Sequence, residues 1–287
     1  MSKFQRLAVL PIAWAAVFLA LDAAFYGGPA YGTFVRTEVE AAKALTLLGS
    51  WAAALAFEKG AYQRRAWFFI GGCMALLLCR DLVTLTPLFR GLGAHGVNVA
   101  AGILVLSANV SQVIGTWMLA RTWKVAELEL PGSRAAQLAT VGVVGVLALA
   151  CAGPSVVLSG RAVLAGDLTR ASGVASGLGD MISLWLIAPL LLTALALRGG
   201  LFGWPFSLLT ASYAAWLGYD ALAILGPVMG LGPHASRTGA ELFRALGCLF
   251  GFSAGMAQRA VVHGLRALVN RRDPAAARGL ASGADVG

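Results

Sequence analysis

The sequence predicts an all-α integral membrane protein whose eight transmembrane helices form two parallel four-helix repeats. Hydrophobic residues make up 59% of the 287 residues, charged residues make up only 12%, and the mean hydropathy is +0.77. A soluble domain of this size has too little interior for that much apolar surface. The helix number comes from eight apolar segments of spanning length, and the repeat comes from one recurring stretch of sequence.

The eight segments each approach the roughly 20 apolar residues that a helix needs to cross about 30 Å of hydrocarbon. Short stretches rich in Gly, Pro, Arg and His separate them. We place the segments at 7–27, 39–57, 66–88, 97–121, 136–157, 173–197, 204–226 and 238–260. Because the number of spans is even, both termini are expected on the same side of the membrane.

The recurring stretch runs from Asp81 to His95 and returns from Asp220 to His234, with a constant offset of 139 residues. Both copies contain Gly-Leu-Gly shortly before the histidine, in the same register. Such a match without gaps indicates an internal duplication. Repeats of four helices have the same orientation in the membrane, so a pseudo-twofold axis along the membrane normal is expected.

The duplication divides the chain into two repeats, a joint and a tail. The first repeat is predicted at 1–122, a polar cytoplasmic joint at 123–135 and the second repeat at 136–260. The remaining segment, 261–287, is basic. Its first part has the pattern of a short amphipathic helix on the membrane surface. Beyond Pro274 its composition is typical of disorder.

The basic residues that give the net charge of +9 are distributed unevenly along the chain, and their distribution indicates the membrane topology. Basic residues collect on the side of the two termini, and fewer lie in the opposite loops. The terminal side holds Lys3, Arg6, Lys59, Arg64, Arg65, Arg121, Lys124, Arg134, Arg198, Arg259, Arg266, Arg271, Arg272 and Arg278, and the opposite side holds Arg36, Arg90, Arg161, Arg170 and Arg237. By the positive-inside rule, both termini are cytoplasmic in a multi-pass protein of the cell (inner) membrane. The lipid bilayer is thus the first partner, and no nucleic-acid partner is predicted.

Polar side chains inside the predicted spans mark a candidate binding site. Charged groups at that depth cost about 2.5–3.5 kcal/mol each on insertion scales, unless they pair or face a wet cavity. The predicted binding residues are Asp81, Asp220, Arg80, Asp180, Glu241, Arg244, Asn109, Gln112 and Trp216. The charged members lie in the outer halves of their helices. We therefore expect an outward-facing polar site between the two halves, with Asp81 and Asp220 as its principal acids. The alternative is structural ion pairing, in which Arg80 or Arg244 neutralises an aspartate.

His95 and His234 end the two copies of the recurring stretch and suggest a symmetric metal or haem site across the pseudo-twofold axis. In the plainer interpretation, each histidine follows a Gly-Leu-Gly turn and caps a helix or lies among lipid headgroups. The sequence contains no His-x-x-x-His, Cys-x-x-Cys or Glu-x-x-His motif. Bis-His haem in bundles usually uses deeper positions. We predict no cofactor and keep a metal or haem at the two histidines as the alternative.

Three functions from different classes stay open. The first is transport or binding of a small solute or cation between the halves. The second is a sensory or scaffolding membrane subunit that acts within a homo-oligomer or with a membrane-complex partner. The third is a membrane redox or metal-dependent enzyme that uses His95 and His234. No catalytic residue is predicted, because no motif joins a serine to a histidine and an acid, and no phosphate-binding loop is present.

Overall fold

The computed structural model describes residues 2–86, 89, 91, 93–167 and 170–272. Within these ranges the chain forms helices and no strand. The helices are α1 (Lys3–Phe25), α2 (Tyr31–Ala56), α3 (Tyr62–Leu85), α4 (Gly93–Ala120), α5 (Thr122–Val125), α6 (Arg134–Leu164), α7 (Ala171–Trp185), α8 (Ile187–Ala196), α9 (Gly203–Val228) and α10 (Pro233–Arg272). The predicted tail beyond residue 272 lies outside the described residues.

Seven helices in the described part of the chain are long and apolar enough to cross a membrane. They are α1, α2, α3, α4 from His95, α6, the α7–α8 pair at Gly173–Ala196, and α10 as far as Leu268. Seven of the eight predicted segments therefore correspond to candidate spans. Helix α9 is 26 residues long but is not among the seven candidate spans found in the described residues. Its span stays a prediction.

Several helix ends differ from the sequence-based placement. Helix α2 begins at Tyr31, eight residues before the predicted start at 39. Pro154 lies inside α6, which continues to Leu164, although the predicted segment ended at 157. The predicted span 173–197 is instead divided at Leu186 into α7 and α8. The division has a local cause: Pro189 has no N–H to donate to the carbonyl of Trp185.

Helix α10 is the longest helix, with 40 residues, and it includes the segment predicted as a separate amphipathic helix. It packs along α9 of its own half and along α2 and α1 of the other half. In the first half, α3 packs along α4, and α4 crosses to α7 and α8 of the second half. The two predicted halves therefore contact each other through α1, α2 and α4 on one side and α7, α8 and α10 on the other.

Close packing of α2 on α10 depends on glycine. A Cβ added to Gly49 would lie 2.7 Å from the carbonyl oxygen of Phe252, and one added to Gly255 would lie even closer to the carbonyl of Gly49. No side chain fits at such separations, so the two backbones are in direct contact. Small residues at helix interfaces are typical of packing in membranes.

The distribution of polarity is the reverse of that in a soluble protein. Val146 on α6 is 67% exposed and Leu158 is 68% exposed, whereas Lys43 on α2 is only 3% exposed and Asp81 on α3 is 8% exposed. In water such an exposed apolar surface would mark an interaction site. Around a bundle of spanning helices it is the surface that faces lipid, and the charges are enclosed by the helices.

Candidate functional site

A cavity of about 200 Å³ lies between the predicted halves. Its walls come from α2, α3 and α4 of the first half and from α7, α9 and α10 of the second half. Seven of the nine predicted binding residues line it, namely Arg80, Asn109, Gln112, Asp180, Trp216, Asp220 and Arg244. The structure therefore brings most of the predicted polar residues to one place.

The remaining two predicted residues, Asp81 and Glu241, line a neighbouring pocket that we call the vestibule. The vestibule lies where α2 and α10 begin, and its lining is strongly charged. Lys43, Arg80 and Arg244 line both the vestibule and the cavity. These three basic side chains therefore form the boundary between the two spaces.

Each basic side chain at this boundary has an acidic partner outside the cavity lining. Lys43 donates to Glu40 at 3.0 Å and also forms an ion pair with Asp81. Arg80 pairs with the same Asp81. On α10, Arg244 pairs with Glu241, three residues before it in the helix. Asp81 thus bridges α2 and α3, and its charge is used in structural pairing.

Asp180 and Asp220 are in a different situation. Asp180 accepts only one hydrogen bond from the described residues, from the hydroxyl of Ser176 at 3.5 Å. Asp220 makes no hydrogen bond or ion pair with any described residue. Both side chains are partly buried and line the cavity. The two carboxylates that face the cavity therefore have no basic partner in the described part of the protein.

Aromatic residues of α9 complete the wall. Gln112 donates to the Tyr213 hydroxyl at 2.7 Å, and that hydroxyl also bonds to Thr116. These contacts join α4 of the first half to α9 of the second. Trp216 packs against Gly247, where an added Cβ would lie 2.8 Å from its ring. The guanidinium of Arg244 lies 5.5 Å from the centre of the Tyr219 ring.

Four polar atoms on the cavity-lining residues are buried without a hydrogen-bond partner among the described residues. They are Nε of Arg80, Nε of Arg244, Nδ2 of Asn109 and Oε1 of Gln112. Most buried polar groups in proteins are satisfied, so each exception requires an explanation. Five further atoms of this kind among the described residues lie away from the cavity lining, on Glu38, Ser50, Trp67, Thr122 and Ser253.

Lys43 lines both the cavity and the vestibule but is absent from the residues predicted from the sequence. It lies inside the predicted span 39–57, three residues after Glu40. That spacing places the two side chains on the same face of a helix. A lysine close to the end of a span is usually an interface residue whose ammonium reaches water. Its contact with Asp81 depends on how α2 packs on α3, which sequence spacing does not reveal.

The two histidines are not brought together at a metal site. His95 is exposed near the start of α4. Nε2 of His234 lies 3.4 Å from Oδ2 of Asp22, and the Tyr26 ring lies on the imidazole with 3.5 Å between centroids. Asp22 also accepts a hydrogen bond from Tyr31 at 2.8 Å. In the described residues no group of three or more His, Cys, Asp or Glu side chains is positioned to hold a metal.

Comparisons with protein-family models, curated proteins and solved structures give no significant match for this chain. Its class therefore follows from its own fold and composition. The described chain is all-helical and contains several long apolar helices, as in a multi-pass α-helical membrane protein. The cavity and its charged vestibule are the features from which a function has to be inferred.

Proposed function

We propose that the protein binds a small cation in the cavity between its two halves and carries it across the membrane. The observation that supports this proposal is the charge balance of the cavity. The three basic side chains at its boundary are paired with Asp81, Glu40 and Glu241. The carboxylates of Asp180 and Asp220 have no such partner among the described residues.

An unpaired carboxylate inside a membrane protein is energetically unfavourable and is a functional candidate by default. A cation in the cavity would neutralise this charge, whereas an anion would be repelled. Trp216 and the tyrosines of α9 add ring faces that attract organic cations in particular. A cavity of about 150 Å³ accommodates benzene, so a cavity of about 200 Å³ suits an organic cation of comparable size.

The position of the cavity supports carriage as well as binding. Helices from both predicted halves line it, and the vestibule adjoins it through Lys43, Arg80 and Arg244. Sites near the middle of the membrane, between two repeats that rock against each other, are the usual arrangement in secondary transporters. In this proposal α9 is the eighth span, the halves are parallel repeats and both termini are cytoplasmic. Single cysteines placed at residues 59 and 198 test that topology. Each should be labelled from the cytoplasmic side and not from the opposite side.

Binding of n-butylammonium to the purified protein in lipid nanodiscs tests the cation site. We expect Asp180→Asn and Asp220→Asn each to weaken binding by about tenfold or more, because hydrogen bonds to charged groups contribute about 1.5–3 kcal/mol. The double variant should lose at least about a hundredfold.

Asp167→Asn is the matched control, since Asp167 lies in the loop after α6 and its side chain is 49% exposed. It should bind n-butylammonium like the unmodified protein. If the double variant binds as tightly as the control, Asp180 and Asp220 do not form the cation site, and the proposal fails.

A further inference from the structure

We infer that the vestibule is a binding site for a phosphate monoester, held by Arg36 of α2 and Arg237 of α10 close to where both helices begin. The site is separate from the cavity, and the inference does not rest on cation transport. The ligand chemistry is that of a phosphate dianion. A soluble phosphate or the headgroup of a lipid such as phosphatidate can supply it, and the experiment below separates these two sources.

Helices α2 and α10 carry the same order of charges along the faces that line the vestibule. In each helix a basic, an acidic and a basic residue follow one another at positions i, i+4 and i+7. Side chains with this spacing share one face of a helix, and the two helices pack along each other. Two matching columns of charge therefore line one pocket. The columns are Arg36, Glu40 and Lys43 on α2, and Arg237, Glu241 and Arg244 on α10.

The acidic residues of the vestibule are paired with its more buried basic residues. Lys43 donates to Glu40 at 3.0 Å and also pairs with Asp81, the third acid of the lining. In the other column, Glu241 pairs with Arg244. Each acid is therefore paired with a basic residue further along the helix than the outer arginine of its column, or on the neighbouring helix.

Arg36 and Arg237 are left without an acidic partner. Both residues are exposed, and neither forms an ion pair with any described residue. The guanidinium of Arg237 lies 5.7 Å from the centre of the Tyr31 ring. Asp22, which accepts the hydrogen bond of the Tyr31 hydroxyl, pairs with His234 instead. Both guanidinium groups are therefore accessible to a ligand that enters from water.

The charge balance of the vestibule selects the ligand. Among the described residues, five basic and three acidic side chains line it, which leaves an excess of two positive charges. A phosphate monoester carries a charge of about −1.5 to −2 at pH 7 and matches this excess. Guanidinium groups donate paired hydrogen bonds to phosphate oxygens, and the pocket of about 470 Å³ has room for the phosphate group. A bound dianion would also cancel the positive excess beside the cavity.

Titration of the full-length protein with methyl phosphate tests the site. The protein is held in nanodiscs of phosphatidylcholine, and binding is measured by isothermal titration calorimetry against dimethyl phosphate. At neutral pH we expect methyl phosphate to bind at least about fivefold more tightly, because only the monoester carries a second negative charge. Equal binding of the two compounds would overturn the assignment to a monoester.

Variants of the two arginines connect binding to the vestibule. Arg36→Gln and Arg237→Gln should each weaken binding of methyl phosphate by about tenfold or more, as expected for loss of hydrogen bonds to a charged group. Both positions are exposed, so the fold should tolerate the changes. Arg161→Gln is the matched control, because Arg161 is exposed in the last turn of α6 and does not line the vestibule. It should bind like the unmodified protein.

Nanodiscs that contain phosphatidate identify the source of the phosphate. Native mass spectrometry of the protein released from them counts the phosphatidate molecules retained. Retention that is lost in the Arg36→Gln/Arg237→Gln variant and kept in the control assigns the site to a lipid headgroup. Binding of methyl phosphate with the same dependence on the variants, but without retained phosphatidate, assigns it to a soluble phosphate. If neither probe binds, or if the double variant behaves like the control with both probes, the inference is wrong.

Discussion

At the scale of single residues, the clearest result is the different roles of the aspartates. Asp81 and Asp220 occupy equivalent positions in the recurring stretch, and both are predicted as principal acids of the site. Asp81 pairs with Lys43 and Arg80, whereas Asp220 faces the cavity without a basic partner in the described chain. Asp180, which has no counterpart in the recurring stretch, joins Asp220. The same position in the recurring stretch therefore does not imply the same contacts.

Replacement of Lys43 tests the structural role of the ion pairs. Lys43→Met removes one cation from a buried cluster and leaves Glu40 and Asp81 less compensated. Breaking one side of a buried pair costs about 3–5 kcal/mol. We expect the lower end of that range, because Arg80 continues to neutralise Asp81. The free energy of unfolding in mixed micelles, measured by titration with SDS, provides the readout.

Lys59→Met is the control for that substitution, because Lys59 lies in the exposed turn between α2 and α3. Its free energy of unfolding should change by less than about 0.5 kcal/mol, as for most surface substitutions. Equal stability of the two variants would show that the Lys43 ion pairs contribute nothing to the fold.

Much of the lining of the candidate site follows from the sequence alone. A charged or amide side chain inside an apolar span has to face the bundle interior, so seven of nine predicted residues line one cavity. The partners do not follow from the sequence. Whether Lys43 pairs with Asp81 or with Asp220 depends on which helix packs beside α2, and that is a property of the tertiary structure.

At the scale of helices, contact between α2 and α10 depends on Gly49 and Gly255. Gly255→Ala should destabilise the protein by about 1–3 kcal/mol, as expected when a methyl group is forced into a tight contact. Helix propensity alone predicts the opposite effect, because it favours alanine over glycine by about 1 kcal/mol. Thermal unfolding in detergent, followed by loss of the helical signal, measures the effect.

Gly264 lies on the same helix, where an added Cβ meets no atom within 4 Å. Gly264→Ala is therefore the matched control and should be neutral or stabilising. Destabilisation of both variants by the same amount would point to a general effect of the substitution and against the close contact of α2 with α10.

Helix boundaries show which local signals can be read from the sequence. Apolar length located the spans, since lipid requires backbone hydrogen bonds to be satisfied within each helix. Proline alone does not predict where a helix ends. Helix α6 continues through Pro154, whereas the predicted span that contains Pro189 is divided into α7 and α8. The length of α10 was also underestimated. Its polar C-terminal turns resemble a separate surface helix, but no residue there interrupts the backbone.

At the scale of the whole molecule, the two predicted halves meet around the cavity. Helices α1, α2 and α4 of the first half contact α7, α8 and α10 of the second half, and the hydrogen bond between Gln112 and Tyr213 lies at this junction. The constant offset of 139 residues led to the prediction that a site would lie between the two halves. The offset could not predict the pairing of charges, because Glu241 and Arg244 of α10 correspond to Gly102 and Val105 of α4, which carry no charge.

The central claim is that Asp180 and Asp220 form a cation pathway between the halves, and flux of a permanently charged cation tests it most directly. Purified protein in liposomes should take up tetramethylammonium, driven by an inside-negative potassium diffusion potential, faster than liposomes without protein. The Asp180→Asn/Asp220→Asn variant should lose this uptake, and Asp167→Asn should retain it. Uptake that is the same in the double variant and in the unmodified protein would contradict the claim.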